Sequence, residues 1–198
     1  MINTKKNLEI KLSKLKGMSK KDIRLEQYES SSVLVSELLW YAYILGDIKG
    51  KKILDAGCGN GIFGAGCLLL GAKRVYFLDI DSKMIALAKE NSPKGEFFCC
   101  DIDDFNINVD TVIMNPPFGV HKKNEDKRFL LKAFIVSNVI YSIHHYKSLK
   151  FLQKISSDNN FNLLSYERDV NLKRSYSFHT KDIKKTRVVI CRFNRSIS

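Results

Sequence analysis

The sequence predicts an α/β fold: a mostly parallel sheet of seven strands with an antiparallel hairpin at its C-terminal edge. Three observations carry this. Short apolar runs of strand length alternate with helical patterns from residue 52 to residue 157, and such alternation implies parallel strands joined by crossover helices. A glycine-rich loop, Gly57-Cys58-Gly59-Asn60-Gly61, stands between the first of these strands and the helix behind it. The last two runs, near 162–169 and 186–193, have no helix between them and therefore make a hairpin. A chain of 198 residues has ample length for a core. It is read as one domain, 1–198, with 1–46 as an N-terminal helical extension and 173–185 as a basic loop.

Taken in order, Leu8, Leu12 and Leu15 recur at helical spacing among lysines, and the pattern ends near Gly17. Ser30, Ser31 and Ser32 precede an apolar helix, Val33 to Leu45, that Gly46 closes; serine here can accept hydrogen bonds from the first free N–H groups. Residues 52–56 form the first buried strand and 62–70 the helix after the glycine loop. A second strand, 73–78, ends at Asp79-Ile80-Asp81, and a helix covers 82–91. The third strand, 96–100, is apolar at Phe97-Phe98-Cys99-Cys100, is placed at a sheet edge, and ends at Asp101. The fourth, 111–114, delivers Asn115 to its carboxyl end. Pro116 and Pro117 lack an N–H and cannot continue a central strand, so the chain turns a stiff corner there. A helix over about 128–138, a strand over 139–144 and a helix over 148–157 complete the alternation.

The net charge of +12 is unevenly spread. Residues 1–24 carry 8 Lys/Arg against 2 Asp/Glu, residues 25–119 carry 8 against 13, and residues 120–198 carry 17 against 6. An acidic centre between basic flanks suits a polyanionic partner, because phosphate neutralisation dominates nucleic-acid affinity; the alternative is a plain solubility surface. No apolar run reaches the ~18 residues of a membrane span, and the lysine-rich N-terminus lacks the apolar stretch of a secretory signal. Five cysteines with no C-x-x-C pair argue against a disulfide framework or a metal site within the chain. The expected location is cytoplasmic.

In an open α/β sheet, ligands sit beyond the carboxyl ends of the strands. Asp55, the glycine loop with Ile62 behind it, Asp79 with Ile80, Asp101 with Ile102, and Asn115 all fall there. The loop reads G-x-G-x-G, which departs from the dinucleotide spacing G-x-G-x-x-G. The charge of Asp55 would repel a pyrophosphate but suits a cationic ligand. Asp79 is placed to accept ribose hydroxyls and Asp101 to meet an adenine amine, with Ile102 packing on the ring. A ligand with adenine, ribose, a cationic sulfur and an amino-acid tail satisfies this set: S-adenosylmethionine. At the Asn115 corner, an amide oxygen, the Pro116 carbonyl and the Phe118 ring suit a flat, amine-bearing base. The segment 173–185, with Tyr176, Phe178 and His179 among basic residues, has the composition of a single-stranded RNA contact, or of an ordinary solvated loop.

Asp55-Ala-Gly-Cys-Gly-Asn-Gly61 together with Asn115-Pro-Pro-Phe118 resembles the Rossmann-like class I amino-methyltransferases. Leu25-Glu-Gln-Tyr28, Phe77-Leu-Asp-Ile-Asp81, Asp110 to Gly119 and Ser175-Tyr-Ser-Phe-His179 are similar to one branch, the N6-adenosine methyltransferases of small-subunit ribosomal RNA. The resemblance spans about residues 8–194; Ser30 stands where that branch is expected to carry threonine, and the hydroxyl survives. It implies S-adenosylmethionine held by Gln27, Tyr28, Ser30, Asp55, Gly57, Cys58, Gly59, Asn60, Gly61, Ile62, Asp79, Ile80, Asp101, Ile102 and Asn115. Within 1–46, Gln27 and Ser30 would close over its methionine end. Catalysis would rest on Asn115, Pro116, Pro117 and Phe118, and ribosomal RNA would meet Phe118, His121, Phe178, His179, Lys181 and Lys184. The resemblance also implies a heterodimer with a small zinc-binding activator protein, added to the edge strand at Phe97–Cys100. Two other readings stand beside it: an N5-glutamine methyltransferase acting on a translation factor, and a catalytically silent RNA-binding scaffold.

Overall fold

The computed structural model describes residues 2–17, 30–116, 125–173 and 183–196. In chain order they form α1 (Lys5–Leu12), α2 (Ser32–Ile44), β1 (Lys52–Ala56), α3 (Ile62–Leu69), β2 (Arg74–Asp79), α4 (Ser82–Asn91) and β3 (Glu96–Cys99). A 3-10 turn (Ile102–Asp104) leads to β4 (Thr111–Met114), α5 (Glu125–Val136), β5 (Val139–His145), α6 (Leu149–Asp158), β6 (Phe161–Lys173) and β7 (Ile183–Arg195). The seven strands make one sheet in the order β3-β2-β1-β4-β5-β7-β6. The first five are parallel, and β7 and β6 are antiparallel to their neighbours.

Side chains alternate between two faces with the strand period of two. Ile53, Ile113, Tyr141, Val188 and Ile190 face one layer, which holds Leu8, Leu12, Leu38, Leu39 and Cys67 of α1, α2 and α3. Leu54, Val112, Ile140, Val189 and Phe193 face the other, with Leu130 and Phe134 of α5 and Leu152 and Ile155 of α6. Because both faces are covered, the parallel strands read as continuous apolar runs.

β1 is flanked by β2 on one side and β4 on the other, so the strand order reverses between β1 and β4. Their last register pair is Ala56 with Met114. Gly57 and Asn115 therefore leave the sheet side by side, where an open sheet opens its crevice.

The C-terminal strands are longer than the sequence pattern indicates. Each runs for 13 residues, and Lys173 pairs with Ile183 at the far end. Lys173 and Lys184 thus belong to a ladder, where the sequence reading has a loop over 173–185. The pairing of β5 with β7 ends at His145 and Val188, so the outer part of the hairpin passes beyond the carboxyl end of β5. At the other edge β3 is outermost, as expected. Phe97 stacks on Phe77 and Phe98 meets Tyr76 and Phe105 edge-on; Cys99 is exposed. Among the described residues, no helix is long and apolar enough to cross a membrane.

Candidate active site

Asp55, the penultimate residue of β1, is 1% exposed. Its Oδ2 accepts a 2.8 Å hydrogen bond from the Gly64 N–H near the start of α3, while Oδ1 is buried with no hydrogen-bond partner among the described residues. Burial pushes this carboxyl up to about 8; the Gly64 N–H works against the rise and the negative Asp79 adds to it. A buried carboxylate disfavours its own charge unless a cation or donors meet it.

The glycines of the loop differ in what they do. Gly59 has φ +53 and open space where a side chain would project, so backbone is the surface offered to a ligand there. At Gly61 (φ +77) a Cβ would lie 2.9 Å from that of Ala88, so this glycine lets α3 and α4 approach. Asp79 braces the loop: Oδ2 accepts from the Gly59 N–H at 2.9 Å and Oδ1 from the Asp81 N–H at 3.0 Å. A carboxylate has about four acceptor positions, so these bonds leave capacity for ribose hydroxyls. Burial is the first cause of its raised pKa.

Several expected ligand contacts are deployed differently. Asn60 is buried; its side chain donates to the Lys16 carbonyl at 3.2 Å and accepts from the Ile62 N–H at 3.3 Å. Asn91 joins the same knot, donating to the carbonyls of Lys16 and Asn60, so the segment after α1 is tied to the glycine loop. Neither Lys16 nor Asn91 carries a sequence motif that would have marked it. Ile62 and Ile102 are core residues, 7% and 4% exposed, whereas Ile80 is 57% exposed and presents the apolar surface beside Asp79. Cys58 is buried, and burial holds its thiol protonated; its N–H continues the sheet by donating to the Leu78 carbonyl at 2.8 Å.

Asp101 follows β3 and caps the 3-10 turn, its Oδ1 accepting from the Asp103 N–H at 2.9 Å. The same oxygen accepts from Nη2 of Arg128, which comes from α5. Across the crevice, the Asn115 Nδ2 donates to the Ser30 Oγ at 3.0 Å, and the Asn115 Oδ1 is buried with no hydrogen-bond partner among the described residues. Ser30 is released for this because Ser31 caps α2, accepting from the Leu34 N–H. Pro116 is buried behind the corner. Gln27, Tyr28, Pro117, Phe118, His121, Phe178, His179 and Lys181 lie outside the described residues.

The methyltransferase small domain profile matches residues 29–139 of this chain. The chain belongs to that family. Several relatives align over nearly the whole chain. The rRNA N(6)-adenosine-methyltransferase METTL5 of Danio rerio is 30% identical, with 95% of this chain and 97% of that protein aligned. An uncharacterized protein of Methanocaldococcus jannaschii is 36% identical, over 96% of this chain and 94% of that one. The crystal structure of a Pyrococcus horikoshii protein, provisionally assigned as an RNA methyltransferase, is 41% identical, covers all of both chains and superposes with a TM-score of 0.92. Magnesium protoporphyrin IX methyltransferase from Synechocystis, solved with bound S-adenosylmethionine, shares the Rossmann-like fold at 18% identity, 94% and 90% coverage, and a TM-score of 0.66.

This methyltransferase is an S-adenosylmethionine-dependent enzyme of class I, and the site fits that cofactor. The orphaned Asp55 oxygen answers a cation, the open face at Gly59 admits the ligand to the backbone, and Ile80 offers an apolar surface beside the Asp79 carboxylate.

Proposed function

We propose that the methyltransferase acts on the N6 amine of an adenosine in small-subunit ribosomal RNA, in the cytoplasm, as one half of a heterodimer with a small zinc-binding activator protein. One observation carries the chemistry: the Asn115 Oδ1, just past β4, is buried with no partner among the described residues, and its Nδ2 donates to Ser30. A buried acceptor without a partner is costly, by ~1–3 kcal/mol, and a substrate amine is the donor that relieves it.

The N6 lone pair of adenine is delocalised into the ring and is a poor nucleophile. The Asn115 Oδ1 and the Pro116 carbonyl accept its two N–H groups, favour a pyramidal nitrogen and aim its lone pair along the crevice. Phe118, from the same corner, stacks on the flipped base. The bound cofactor supplies an activated methyl group. The cofactor, held by the glycine loop with Asp55 and Asp79, would serve as the methyl donor, with S-adenosylhomocysteine as its product. The amine held by Asn115 and Pro116 would release its proton to water, so no general base is needed. Positioning and electrostatics carry the rate. Gln27, Tyr28 and Ser30 close the methionine end.

The RNA substrate is supported by the names of the full-length relatives and by the basic flanks. His121, Phe178, His179, Lys181 and Lys184 are its proposed contacts. The activator is placed on β3, the outermost strand on its side of the sheet, because an unpaired edge offers its backbone to an added strand. Phe98 packs inward on Tyr76 and Phe105, so Cys99→Lys probes docking with less risk to the core than a change at Phe98.

The test is transfer of tritiated methyl into total RNA, protein and DNA, followed by nucleoside analysis. The expected product is N6-methyladenosine in small-subunit ribosomal RNA; label in protein or DNA instead would overturn the reading. Asn115→Ala should lower single-turnover methylation by roughly 10²–10³-fold, the scale of losing one preorganised polar group, and leave RNA affinity unchanged.

A further inference from the structure

We propose that Arg128 is a positioning residue for the cofactor, fixing the Asp101 carboxylate so that the site distinguishes an amine-bearing purine from its 6-oxo counterpart. The inference rests on the reading that Asp101 faces the purine amine. The residue assigned here lies outside every motif of the sequence.

Arg128 is 34% exposed and sits in the first turn of α5, facing three carboxylates. Its Nη2 bonds the Asp101 Oδ1, its Nε lies 3.0 Å from the Asp103 Oδ2, and its Nη1 is 3.1 Å from the Glu125 Oε1. A guanidinium is a rigid planar fork that stays charged, so hydrogen bonds from Nη2 to Asp101 and from Nη1 to Glu125 restrain it, while Nε, which makes no hydrogen bond among the described residues, meets Asp103 as a charge contact only. Its contact with Asp101 falls on the oxygen that also accepts from the Asp103 N–H. Two donors on one oxygen from different directions lock the rotation of that carboxylate about its last bond.

The helix carrying Arg128 is itself firmly placed. Leu130 is fully buried, and Lys132 donates to the Asp103 carbonyl at 2.7 Å and to the Asn106 side chain at 2.9 Å. The neighbouring residue, Phe129, packs over Gly57, 3.2 Å from where a side chain there would begin. The first turn of α5 thus reaches the glycine loop and the end of β3 together. Stability gives little reason for the arrangement: partly exposed ion pairs contribute weakly to folding, and Leu130, Ala133, Phe134 and Val136 already hold α5 in the core.

The chemistry of discrimination follows. A carboxylate only accepts hydrogen bonds. An N6 amine donates to it; a 6-oxo group presents another acceptor and is repelled. That preference needs an ionised carboxylate in a fixed orientation. Without Arg128, Asp101 and Asp103 would be neighbouring negative charges, and the Asp101 side chain could turn away.

The experiment is calorimetry of the full chain with S-adenosylhomocysteine and with S-inosylhomocysteine, its 6-oxo analogue, alongside thermal melting. The wild type should prefer the amine form by roughly tenfold or more. Arg128→Gln should bring that ratio to within about threefold, with a melting temperature close to the wild type, and Arg128→Lys should restore part of it as a charge without a fork. If Arg128→Gln weakens both ligands equally and keeps the ratio, or Arg128→Lys does so where the glutamine variant fails to fold, the positioning role is overturned. Asp101→Asn separates the premises: a ratio unchanged there overturns the placement of Asp101, whereas a collapse there with none in Arg128→Gln overturns only the role of Arg128. A wild type without preference overturns both.

Discussion

Asn115 shows how one hydroxyl can tether a catalytic amide. Its Nδ2 donates to the Ser30 Oγ at 3.0 Å, which on the proposed function leaves Oδ1 to meet the substrate amine. On that function Ser30→Ala should free the amide and lower single-turnover methylation by about tenfold, the scale of one hydrogen bond; Ser30→Thr should restore it, and an undiminished rate in the alanine variant would show that packing alone orients the amide. The sequence made Asp55, Asp79, Asp101 and Asn115 visible because each ends a strand of readable pattern. Arg128, Lys16 and Asn91 were not visible. Their roles arise from contacts between elements far apart in sequence, such as the Lys16–Asn91 bond, and no local spacing encodes those. The serines show the limit within a motif: three adjacent hydroxyls are equal candidates for a cap until the helix start selects Ser31.

Elements were legible in proportion to how much core they carry. The parallel strands and the helices between them show apolar runs because both faces of the sheet are covered. The hairpin strands extend further than their pattern indicates, since the ladder beyond Val188 has no β5 beside it and no burial pattern to reveal it. Lys184, one of the proposed RNA lysines, belongs to that overhang. Lys181→Ala with Lys184→Ala should flatten the dependence of log K on log salt by roughly one unit for each phosphate no longer neutralised, with cofactor affinity unchanged; salt titrations of RNA binding check it, and an unaltered slope would make the basic flank a solubility surface. The α3–α4 approach gives a second test. Gly61→Ala would place a methyl 2.9 Å from the Ala88 Cβ at a φ of +77. Denaturant unfolding should report a loss of roughly 1–3 kcal/mol from backbone strain, with crowding added.

At the scale of the whole molecule, two buried titratable groups shape stability against pH with opposite signs. Burial raises the Asp55 carboxyl to about 8, so the folded state holds a proton that the unfolded chain releases near 4. Stability from this group is complete below that lower value and is lost as pH rises towards 8. Burial lowers His144 to about 3, so the unfolded chain gains a proton below ~6.5 that the folded state refuses, and stability falls as pH drops from there. The Asp55 and His144 slopes oppose each other between about 4 and 6.5, the raised Asp79 adds to the Asp55 side, and above that window the decline from Asp55 is no longer offset. Thermal melts from pH 4 to 8.5 should show this, and Asp55→Asn should remove the decline on the basic side while weakening cofactor binding; an unchanged basic limb would place its origin elsewhere. The pairing of Ala56 with Met114 has a consequence of another kind. On the proposed function, the cofactor loop and Asn115 leave the sheet from one rung of adjacent strands, so the two chains emerge one interstrand spacing of about 4.8 Å apart. A slip of one residue between β1 and β4 would turn Asn115 to the opposite face. If Asn115 acts as proposed, catalysis proofreads folding: a misregistered molecule could still be compact, but it would be silent, and specific activity becomes an assay for strand registry.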